Sequence, residues 1–166
     1  MSSGRRYAVA ISGRSEVQWR EIKAPPVAIG EADGDGLRIR VVSLSVPMPN
    51  FSRLAMAEVT TINGGQASRH QNALISAHEV RHLADALRFA LSSPDRDGTV
   101  SLFDDGMTLR IEGFGDRWTV TCRNVPSPPP GAKWSAFPEY SFEIGQQALR
   151  AAIAELGDLY MALAAM

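Results

Sequence analysis

The run TVSLFDDGMTLRIEGFGDRWTVTC, residues 99–122, decides the fold class. Val100 and Leu102 alternate with polar neighbours, as do Met107, Leu109 and Ile111, and then Trp118, Val120 and Cys122. A period of two is the mark of a strand with one buried face. Between the three runs stand Asp104-Asp105-Gly106 and Gly113-Phe114-Gly115-Asp116. Asp and Gly tolerate the positive φ that tight hairpins need. The run therefore reads as an antiparallel β-meander.

Helices flank it on both sides. In residues 77–92, Val80, Leu83, Ala84, Leu87, Ala90 and Leu91 form one apolar arc, and Pro94 with Asp97-Gly98 ends the helix. In residues 146–164, Leu149, Ile153, Leu156, Tyr160 and Leu163 repeat at three and four. A short strand near 139–144 precedes the second helix, and the Pro-rich stretch 125–133 reads as a stiff loop. Towards the N-terminus, Leu37, Ile39 and Val41 alternate in a half-buried strand that follows the turn 32–36 and is broken at 46–50. Residues 53–62 form another strand, with Ala55, Ala57 and Val59 facing opposite to Leu54 and Met56. The polar, Gly-rich stretch INGGQASRHQN, 62–72, reads as a loop. Residues 7–11 suit a strand, whereas 15–23 fit a strand or a short helix, closed by Pro25-Pro26. Strands, helix, strands, helix is the order of an α+β protein. Its expected architecture is a two-layer sandwich, a mostly antiparallel sheet with both helices on one face. The expected domain is 1–166, with 1–6 as a tail.

Composition narrows the function. The chain has 166 residues, 45% hydrophobic and 21% charged, which suits one globular domain. Lys+Arg total 17 against 18 Asp+Glu, a net charge of -1 that counts against a general nucleic-acid binder. No apolar run approaches the ~20 residues of a membrane-spanning helix. The lone cysteine, Cys122, allows no internal disulfide and suits a reducing compartment. The expectation is a cytoplasmic protein with no membrane and no nucleic-acid partner.

One motif invites a catalytic reading. His78-Glu79-Val80-Arg81-His82 spells H-E-x-x-H, the signature of zinc-dependent metallopeptidases. On a helix it sets two imidazoles one turn apart for Zn²⁺, with the Glu as general base. The wheel argues otherwise, because His78, His82 and Asp85 fall opposite the apolar arc and so face solvent. A catalytic zinc needs a third ligand in a walled site. Glu112, Glu139 and Glu143 would have to cross to the wrong side of the helix. Ser76-Ala77-His78-Glu79 also reads as a capping box, which occupies the same carboxylate. The motif is therefore read as a capped, solvated helix start, with no catalytic residue, metal or other cofactor. A zinc hydrolase using His78, His82 and Glu79 is the alternative. Cys122, on an apolar strand face, reads as a buried thiol.

Contact residues come from the aromatics. Phe89 shares the outward side of its helix with His82, and Trp134, Phe137 and Tyr140 follow the proline run. They are candidates for a partner-binding surface. The succession GLRIRV, SRLAMAEV, SAHEVRHLADALRFAL, a D-D-G hairpin and YSFEIGQQALRAAIAELGDLY, over residues 36–162, resembles the WapI-type immunity proteins and related small bacterial α+β families. The resemblance implies a non-catalytic module that binds and blocks a toxin or another protein. A homodimer is compatible with it.

Overall fold

The computed structural model describes residues 6–11, 15–31, 34–46, 53–93, 97–103, 106–124 and 139–165. In chain order the elements are β1 (Arg6–Ile11), β2 (Ser15–Glu21), β3 (Val27–Gly30), β4 (Gly36–Ser45), β5 (Leu54–Asn63) and β6 (Gln66–Ser76). There follow α1 (Ala77–Ser92), β7 (Gly98–Leu102), β8 (Met107–Phe114), β9 (Arg117–Asn124), β10 (Glu139–Gly145) and α2 (Gln146–Ala165). The chain is α+β, and every strand pairing among the described residues is antiparallel. The strands divide between two sheets rather than forming the one expected. The first runs β1-β2-β4-β5-β6, with β3 also paired to β4; the second runs β10-β9-β8-β7.

The meander forms as the alternation predicts. Leu102, Met107, Leu109, Ile111, Val120 and Cys122 are all fully buried. Gly115, at φ 64°, makes the turn between β8 and β9. Asp104 and Asp105 lie outside the described residues.

One reading is corrected and one ambiguity resolved. The stretch 62–72 is not a loop but the turn of a hairpin and most of a strand. Gly64 and Gly65, at φ 59° and 81°, close a two-residue turn with both residues left-handed, and Asn63 pairs with Gln66. β6 is polar because it is an edge strand whose first residues are exposed. It bulges where the pairing slips between Ala57–Ala73 and Val59–His70, and Asn72 adopts φ 64° there. The ambiguous stretch is strand β2, with Trp19 fully buried. Residues 27–30, to which the sequence pattern assigned no element, form β3, which shares one edge of β4 with β2.

Buried residues of both sheets and both helices form one apolar cluster. α1 packs on α2 and against β7, β8 and β6, while α2 packs against β3 and β10. Fully buried Leu83, Leu87, Leu156 and Leu159 anchor the helices, each worth roughly 2 kcal/mol of transfer free energy. Polar ties fix the ends of the elements. The Trp118 indole donates to the Ala90 carbonyl at 3.0 Å, satisfying an orphan acceptor in the last turn of α1. α2 has no acidic residue in its own first turn. Glu31, just past β3, supplies that charge by accepting from Gly145 N–H at 2.8 Å.

Candidate functional site

Helix α1 begins as the capping box requires. Ser76 Oγ accepts from the Glu79 amide at 3.1 Å, and Glu79 Oε2 accepts from the Ser76 amide at 2.8 Å. Val80, Leu83, Ala84, Leu87 and Ala90 turn inward. His78 and His82 are exposed on the far side, their rings 4.0 Å apart and tilted by 54°. Among the described residues, no group of three His, Cys, Asp or Glu side chains is placed to hold a metal. Asp85, on the same face as the histidines, is paired with Arg88 at 3.0 Å. The H-E-x-x-H stretch thus offers two imidazoles in water, and its carboxylate is bonded to the helix cap.

The aromatic candidates separate. Phe89 stands on the outer face of α1, 41% exposed. Trp134 and Phe137 lie outside the described residues. Tyr140, expected on a contact surface, is instead buried at 4% exposure, because its inward register on β10 sets it opposite Cys122 of β9. Burial first, then the neighbouring Cys122, raises the Tyr140 pKa, while a bond from Thr61 opposes the rise. Burial pushes the Cys122 thiol up to about 11, with the Tyr140 hydroxyl pulling the other way. Cys122 is fully buried and stays protonated at neutral pH, the state of an unreactive thiol.

A groove of about 430 Å³ runs between the helices. Its floor is Leu91, Ile153, Ala154 and Gly157, and Arg88 and Arg150 flank it. Gly157 puts no side chain into the groove, and a Cβ there would only touch Arg88 Nη2, at 4.0 Å. Met161, one turn beyond Gly157, is 66% exposed. Sequence reasoning missed this groove, because it depends on how two helices distant in sequence meet. It also missed Phe114, 88% exposed beside the β8–β9 turn, although a Phe between turn glycines is a readable signal.

No protein-family model, curated protein or solved structure matches the chain. No helix among the described residues is long and apolar enough to cross a membrane.

Proposed function

We propose that the protein is a non-catalytic protein-binding module, an immunity-like inhibitor that occupies another protein in the cytoplasm. In this reading the two helices form one layer over the sheets, in the manner of a two-layer sandwich, and present their outer side to the partner. The observation that carries it is the apolar surface on the helix pair: partly exposed Phe89 and Met161 together with the groove between Arg88 and Arg150. Apolar anchors ringed by arginine are the composition of an interface core. The complementary partner carries an apolar side chain flanked by carboxylates. The zinc-hydrolase alternative draws on the adjacent His78 and His82 rings, and it needs a third donor from outside the described residues.

The test starts from cross-linking and mass spectrometry to identify a partner, followed by equilibrium binding with both proteins purified. Phe89→Ala and Ile153→Asp should each weaken binding by about tenfold or more, as central anchors do. Phe114→Ala, at the hairpin tip, should leave it unchanged. Equal affinity of the wild type and both helix variants would remove the helix face from the interface. Stoichiometric zinc in untagged protein, lost on His82→Ala, would replace the binding reading by the hydrolase.

A further inference from the structure

A second cleft, of about 490 Å³, opens beside the first sheet and shares no lining residue with the helix groove. Its charged and polar lining is Arg38 and Arg40 of β4, Glu58 and Thr60 of β5, Arg69 of β6 and Glu155 of α2. Strand register explains why they meet. Arg38 pairs with Thr60, and Thr60 with Arg69, so the three form one row across β4, β5 and β6. Their chain neighbours Leu37, Ile39, Val59 and Thr61 are buried, so the row faces away from the core. Two strand spacings, roughly 10 Å, separate the Arg38 and Arg69 backbones. Side chains as long as arginine can close that gap above Thr60.

The charge in the cleft is unbalanced. Among the described lining residues three guanidiniums meet two carboxylates, a surplus of one positive charge; Glu58 is ion-paired, while Glu155 keeps its charge and is bonded to a backbone amide. Glu58 Oε2 accepts from Arg40 at 2.6 and 3.2 Å, and Glu155 Oε1 accepts from the Ala28 amide at 3.2 Å. Among the described residues Arg38 donates to the carbonyls of Glu31 and Leu37, at 3.3 and 3.4 Å, and makes no ion pair. Arg69 is exposed and makes no ion pair among the described residues. The missing side chain of Gly36 leaves room for Arg38, since a Cβ there would stand 2.8 Å from Nη1. A guanidinium has five N–H donors, and neutral carbonyls do not neutralise it.

We propose that this cleft is an oxyanion site, which takes a small molecule bearing a phosphate or carboxylate group between Arg38 and Arg69. The planar guanidinium fork matches two oxygens of either group, and Thr60, between the two arginines in the row, offers a hydroxyl as a further donor. The volume falls within the range of small-molecule sites. The site is partly open to solvent, so added salt weakens binding.

Calorimetric titration of the full chain with pyrophosphate, and separately with citrate, tests the proposal. Saturable binding of at least one is expected, weakened about tenfold or more by Arg38→Gln and by Arg69→Gln and unchanged by Arg123→Gln on β9, in the other sheet. Binding of pyrophosphate alone assigns a phosphate-bearing ligand, citrate alone a carboxylate, and both an oxyanion site tolerant of either. Arg69→Gln removes no hydrogen bond or ion pair among the described residues, so it tests the site even if Arg38→Gln unfolds. Absence of saturable binding of both anions at ~10 mM, or wild-type affinity in the Arg69→Gln protein, overturns the proposal.

Discussion

Replacing Glu79 tests whether its carboxylate serves the helix or a reaction. In the structure it accepts from the Ser76 amide at 2.8 Å, while Ser76 Oγ accepts from the Glu79 amide at 3.1 Å. Glu79→Ala removes a charge-assisted bond at a half-buried site and a negative charge from the positive end of the helix. Together these should cost about 1–2 kcal/mol. Ser76→Ala should cost about 1 kcal/mol. The two bonds form one box, so the double variant should fall short of the sum by ~0.5 kcal/mol or more. Glu79→Gln is the decisive arm. An amide oxygen still accepts from Ser76, so only the charge–dipole part is lost, about 0.3–0.5 kcal/mol. A general base, by contrast, loses its function as fully with Gln as with Ala. Urea unfolding followed by far-ultraviolet circular dichroism measures all four variants against the wild type. Equal losses for Gln and Ala, or strict additivity with Ser76→Ala, would refute the capping argument.

Other contacts give equally direct expectations. Trp118→Phe deletes the indole donor to Ala90 and should destabilise the protein by about 1–2 kcal/mol, measured by the same unfolding curves. Glu31→Ala should cost about 1 kcal/mol and Glu31→Gln less, because Glu31 charges the N-terminus of α2 from another element; matching losses would show that the charge is irrelevant. Cys122 ionises at an ordinary 9.0 when unfolded and only at about 11 when folded. Its contribution is therefore complete below pH 9.0 and is lost as pH rises towards about 11, by up to ~3 kcal/mol. Unfolding at pH 8 to 11 should show a shallower alkaline decline for Cys122→Ala than for the wild type, and parallel declines would disprove the assignment.

Much of the local structure could be read directly from the residues. The arc Val80–Leu83–Leu87 and its opposite face of His78, His82 and Phe89 follow from a period of 3.6, which needs only neighbours in sequence. The capping box and the meander are equally local. Tyr140 shows where that reading stops. The alternation of β10 defines two faces, but only pairing with β9 decides which face is covered. β6 escaped for the complementary reason. An edge strand need not bury alternate residues, so Gln66 to Asn72 carry no apolar period, and the Asn63-Gly64-Gly65 turn was their one signal.

By itself the sequence determined the α+β class, the two amphipathic helices, the antiparallel meander and the outward direction of the paired histidines. Only the tertiary structure decided the division into two sheets, the groove between α1 and α2 and the meeting of Arg38, Thr60 and Arg69 in one row. Side-chain period is a property of each segment alone. Register, bulges and helix contacts depend on which distant segments cover one another.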